Sequence, residues 1–169
     1  PDPSGYDYGS GFGGLSKPTA IKTGMGDVTV KYNGNATVPT NAGSYTVTFD
    51  VAESQNYNAV NLSIGTLTIN KIDYVGTMIA NDTVRSGQET AGKTLTLPEL
   101  PAGASYGTPA SGDALITSGS MSINSSTNTL TYSTTNQTDG TSATITIPVT
   151  GATNYKDYNV TVTITAQDK

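Results

Sequence analysis

From Gly43 to Val51 the chain reads GSYTVTFDV, and apolar and polar residues alternate without a break. Tyr45, Val47, Phe49 and Val51 fall on one side of an extended chain; Ser44, Thr46, Thr48 and Asp50 fall on the other. A period of two marks a strand with one buried face and one wet face. The same period runs through residues 27–32, with Val28, Val30 and Tyr32 in phase, and through 142–149, where Ala143, Ile145, Ile147 and Val149 share a face. It returns at 158–166, which puts Val160, Val162, Ile164 and Ala166 inside and three threonines outside. Residues 62–69, LSIGTLTI, change phase at Gly65. One extra residue there would return Leu62, Ile64, Leu67 and Ile69 to the core side, so the pattern predicts a β-bulge near Gly65-Thr66.

Weaker signals fill the rest. A ragged strand is expected at 6–8, and further strands at 18–23, 74–80, 94–97, 115–123 and 129–133. Asn33-Gly34 is a two-residue turn, since both residues tolerate positive φ. Residues 98–109 hold three prolines and read as an irregular crossing. Pro148 has no amide hydrogen, which suggests a sheet edge or the end of a paired region. Residues 111–117 are the one place for a helical turn, with Ser111 as its cap. The best boundary falls at 70–72. It gives a first module at 1–71, including a Gly-rich N-terminal segment, and a second at 72–169. Asn56-Tyr57 and Asn154-Tyr155 open the closing segment of each, a partial internal repeat. The expected fold is all-β: two tandem antiparallel Ig-like β-sandwich domains. Tyr45, Val47, Phe49, Ile69, Ile145, Ile147, Val162 and Ile164 are the expected core, with Tyr57 and Tyr155 as plugs at the module ends.

Composition fits thin sandwiches. Hydrophobic residues make up 34% of the 169, and charged residues 12%. Strands that bury one face need apolar residues at only alternate positions, and threonine, being β-branched, suits the others. The net charge of -5 argues against nucleic acid, which demands a basic footprint, and against an electrostatically held membrane surface. No apolar run approaches the roughly 20 residues of a membrane span, so no membrane insertion is expected of this segment. The polar, Gly-rich start has no signal-peptide pattern, and the sequence reads as a monomeric fragment of a longer chain.

With no histidine and no cysteine, the chain lacks the groups for Ser-His-Asp, Cys-His, zinc and haem sites. Glycoside hydrolysis needs two convergent carboxylates, and Glu53, Glu89 and Glu99 sit in expected loops or strand ends with nothing to converge on. No Asp-x-Asp-x-Asp calcium run is present. A Lys-Asn isopeptide bond needs a buried lysine, whereas Lys31 points outward and Lys71 and Lys169 end their modules. No catalytic, metal or cofactor residues are expected. Tyrosine is the dominant aromatic, and most tyrosines fall on core parity. Tyr6, Tyr8 and Tyr106 are the loop exceptions and the candidate ligand contacts, in the Tyr/Asn/Gly-rich segments 6–14 and 104–112.

Tyr32-Asn33-Gly34, PTNAGSYTV over residues 39–47, Asn56-Tyr57 and the closing LTINK of residues 67–71 occur in an order that resembles the MBG ("mostly bacterial Ig-like") domain family over residues 17–71. Tyr6-Asp7-Tyr8-Gly9 stands where that family has Tyr-Asp-Gly. The second module resembles accompanying bacterial Ig-like modules through NYKDYNVTVTI. The resemblance implies an extracellular protein, secreted or attached to a bacterial surface, and no catalytic residues. The expected role is a structural spacer or stalk. An adhesion module for glycan or a host surface protein is the alternative, and a partner-docking domain of a secreted enzyme a third.

Overall fold

The computed structural model describes residues 5–18 and 22–168. It is all-β, with no helix among these residues, and falls into two compact units, Pro1–Ile72 and Asp73–Lys169. The expected strand at 18–23 lies partly outside the described residues.

The first unit carries β1 (Tyr6–Asp7), β2 (Val28–Tyr32), β3 (Gly43–Val51) and β4 (Val60–Asn70), in one sheet of order β1-β4-β3-β2. The bulge is present. Thr48 pairs with Ser63 and Val47 with Gly65, so Ile64 is the extra residue, and Gly65 takes φ 141°. The turn at Asn33-Gly34 also forms as expected, both residues at positive φ. Tyr32, Val47, Leu67 and Ile69 form the buried centre, and Tyr8, Phe12, Leu15, Val38 and Ala42 pack over it. This core is short. Phe49 and Tyr45 are only half-buried, a correction to the expected core, and Leu62 beside Phe49 is 56% exposed. The bulge does turn Leu62 to the inner side, but the covering segments do not reach that far along the sheet. Tyr57 is exposed too and plugs nothing.

In the second unit β5 (Ile79–Arg85), β7 (Ser105–Tyr106), β10 (Ser142–Thr150) and β11 (Tyr158–Gln167) form a sheet of order β5-β11-β10-β7. A second sheet holds β6 (Thr90–Thr96), β8 (Ser122–Asn124) and β9 (Thr129–Thr134) in the order β6-β9-β8. Ile145, Ile147, Val149, Val160, Val162, Ile164, Leu115, Leu130 and Tyr132 are buried between them, each at most 1% exposed. The alternation read at 142–149 and 158–166 is the observed one, residue by residue.

Three elements shift. The strand expected at 74–80 begins at Ile79 and runs on to Arg85, because its inward positions are Ala80, Asp82 and Val84, and an inward aspartate disguises the period. Residues 115–121 are not a strand. Leu115 and Ile116 are buried from a single turn, closed by Ile116 N–H to Asp113 O at 3.1 Å; Ile116 makes an isolated antiparallel bridge to Thr134, and the strand itself is confined to Ser122–Asn124. That turn replaces the expected helical one, although Ser111 does accept the Asp113 amide at 3.3 Å. Pro148 ends the β7–β10 pairing as its missing amide requires. Its carbonyl accepts Gly107 N–H at 2.7 Å, and pairing resumes only at Ala110 with Thr146.

Most ladders are antiparallel, but the first strand of each unit pairs in parallel with the last. Tyr6 and Asp7 match Ile69 and Asn70; Ile79 to Arg85 match Thr161 to Gln167. The two closing segments therefore share more than their Asn-Tyr openings.

Candidate functional site

The Gly-rich start of the chain, YDYGSGFGG, is held by its aromatics. Tyr6 sits 4.5 Å from Phe12 between ring centroids, and Phe12 meets the edge of Tyr32 at 6.3 Å. The Tyr32 hydroxyl accepts Leu15 N–H at 2.8 Å. Gly14, at φ 96°, passes so close that a Cβ there would lie 2.8 Å from Val38, a contact only glycine permits. Tyr8 N–H donates to Asn70 O at 2.9 Å, and a turn follows, with Ser10 N–H to Asp7 O at 3.0 Å.

This arrangement leaves a shallow cleft of about 340 Å³ beside Asp7, Tyr8, Ser10, Phe12, Thr40 and Ile69. Its walls combine two half-exposed rings with a carboxylate and two hydroxyls. Chemically that suits a ligand with one apolar face and several hydroxyls, such as a sugar ring. Tyr6 lies in β1 and its ring packs on the core, so it supports this cleft from behind, whereas Tyr8 lines it.

Tyr106 belongs to the other unit and another cleft. It lies in β7, half-buried against the core, and its hydroxyl donates to Pro98 O at 2.7 Å. Burial pushes the phenol up to about 12, with Tyr158 and Tyr74 adding to the effect. The cleft around it, about 460 Å³, is lined by Glu99, Leu100, Ser105, Ser125 and Asn128 among others. Tyr106 thus forms a wall whose hydroxyl is already engaged. Tyr155 packs edge-on against Tyr74 at 5.2 Å, and Tyr74 stacks on Tyr158 at 4.6 Å.

Sequence reasoning missed one constellation. Asp82, on the inward face of β5, accepts the Tyr132 hydroxyl at 2.7 Å and pairs with Lys93 at 2.8 Å. Lys93 also donates to Thr83 O. Burial raises the Asp82 carboxyl, but the hydrogen bonds from Lys93, Tyr132 and the Thr83 amide outweigh it and leave it below its ordinary value; burial pushes the Tyr132 phenol up. Asp82 is therefore a charged group and Lys93 its counter-ion, the pairing expected when a charge is partly buried. A Lys93–Asp82 amide would need a protonated Asp82 carboxyl, which this environment opposes. The signal that could have found it was the inward parity of an acid two residues from Ala80 and Val84. On the outer face of the first sheet, Asp50 similarly gathers Lys31 at 2.7 Å, Thr48 at 2.9 Å and Asn61 at 2.5 Å. Among the described residues no group of three acids, histidines or cysteines converges as a metal would require.

Residues 11–73 match the family model of the MBG domain. No curated protein matches the chain. Among solved structures it is similar to two endo-fucoidan hydrolases from glycoside hydrolase family 107. MfFcnA4 is 14% identical with a TM-score of 0.35, covering 88% of this chain and 23% of that one. MfFcnA9 is 13% identical with a TM-score of 0.32, covering 90% and 28%. Drosophila N-cadherin EC1-3 is 13% identical with a TM-score of 0.36, covering 76% and 44%. The chain thus spans about a quarter of each hydrolase and under half of the cadherin chain.

Proposed function

We propose, with the MBG match over residues 11–73 as premise, that this chain is a non-enzymatic spacer of a bacterial secreted or cell-surface protein. In this reading two small β modules in series hold other domains at a distance. The match is the observation that carries it. The Thr-rich outer faces of β10 and β11 support it, since hydroxyl-lined strands keep a module solvated without a strong field that would recruit partners. The second unit serves as a related Ig-like module.

The cleft beside Tyr8 and Phe12 favours one rival, an adhesion module for a glycan or a glycosylated host protein. A glycan-array and mucin-binding screen separates the two. The spacer reading expects no saturable binding. Saturable binding that Tyr8→Ala abolishes, with an unchanged circular dichroism spectrum, overturns it.

A further inference from the structure

The geometry points to a load-bearing clamp in the second unit, formed by the parallel pairing of β5 with β11; this rests on the spacer reading and adds to it the ability to carry tension. Seven residue pairs join the two strands, from Ile79 with Thr161 to Arg85 with Gln167. Because they are parallel, the unit begins at one end of this ladder and finishes at the other. Tension on the two ends draws β5 backward and β11 forward along a shared axis. Every hydrogen bond between them is then loaded at once. In an antiparallel hairpin pulled at its open end, the bonds are loaded one after another and yield singly.

The ends of the ladder are sealed. Thr161 N–H donates to Met78 O at 2.9 Å, and Ser86 N–H donates to Gln167 O at 3.0 Å. Ser86 Oγ also bonds Asp168. The alternation that these two backbone bonds set turns the amides of Ala80, Asp82 and Val84 toward β11, and those of Asn81, Thr83 and Arg85 away from it. Two further attachments hold the strands sideways. Asp82 ties β5 to the facing sheet through Tyr132 and Lys93, while β11 is flanked by β10 on its other edge. Among the described residues β5 has its only ladder with β11, so sliding β5 free is the step that opens the unit. The first unit has the same plan in miniature, with two parallel pairs between β1 and β4, and should give way first.

The absence of native cysteine lets paired handles be placed at will for single-molecule pulling on the whole chain. Handles at Val75→Cys and Gln167→Cys, both at exposed positions, load the β5–β11 pair in shear. Handles at Ser142→Cys and Gln167→Cys peel the β10–β11 hairpin from its open end. The shear geometry should need about twofold more force or higher at equal pulling speed, because its bonds break together, and release roughly 300 Å of chain. Equal or lower force overturns the clamp. Within the shear geometry, Ala80→Pro removes an amide facing β11 and should lower the force, while Asn81→Pro removes one facing away and should change it less. Equal effects of the two also overturn it. Should Ala80→Pro not fold, the comparison of handle positions decides alone. Failure here is distinct from failure of the spacer reading: a chain that binds glycan yet resists shear keeps the clamp, and one that binds nothing and yields equally in both geometries loses only the clamp.

Discussion

Tyr132, on β9, reaches across the second unit and donates its hydroxyl hydrogen to Asp82 Oδ2 on β5 at 2.7 Å. One side chain is wholly buried in one sheet and the other is the inward-facing acid of the opposite sheet. Tyr132→Phe keeps the ring and removes this bond to a charged acceptor. It should destabilise the second unit by about 1.5–3 kcal/mol, read as a shift in urea midpoint at constant m-value.

The same acid gives the unit a pH dependence. Asp82 is held below its ordinary value near 3.8 by Lys93 and Tyr132, against the opposing effect of burial. A carboxyl depressed in the folded state contributes stability that is fully present above the unfolded value and is lost as pH falls through the folded one. Urea midpoints measured from pH 6 down to pH 2 should therefore drop below about pH 4. Asp82→Asn should start lower and flatten that part of the curve. An equally steep acid limb in the variant would assign the effect elsewhere.

In the first unit the cost of truncation should follow the reach of the core. Leu67 is fully buried, and Leu67→Ala should cost about 2–5 kcal/mol. Phe49 is only half-buried beside exposed Leu62, so Phe49→Ala should cost less despite the larger side chain. Denaturant melts of the two variants side by side test the order.

Gly107 lies against the proline that ends the β7–β10 ladder. A Cβ there would sit 2.9 Å from Pro148 Cγ, and the ring cannot swing aside. Gly107→Ala should destabilise by about 1–3 kcal/mol through this crowding. In a Pro148→Ala background the penalty should shrink, and a double-mutant cycle measures the coupling.

Much of the fold was legible wherever one face of a strand is uniformly apolar. The 142–149 and 158–166 alternations and the bulge at Ile64 follow from side-chain parity alone. What parity does not carry is how far a covering layer extends, and so Phe49 reads as core while lying half-buried, and Tyr57 reads as a plug while lying exposed. Nor does it carry an inward acid. Asp82 breaks the apolar run because it is matched by Lys93 and Tyr132, residues distant in sequence. The candidate contacts divided for a similar reason. Both Tyr8 and Tyr106 line clefts, but Tyr106 is drawn into a two-residue strand by pairing with Val149, a long-range match that no local pattern announces.

The pairing of Ile79 with Thr161 also sets an order of events. During synthesis β5 is made first and its ladder partner, β11, last. Until β11 arrives the unit lacks Val160, Val162, Ile164 and Ala166, the central part of one inner face, and β10 lacks its long neighbour. The unit therefore cannot close progressively from its beginning. It remains an open chain for most of its length and completes folding in one late step, with the high sequence separation that makes β-rich domains slow to fold.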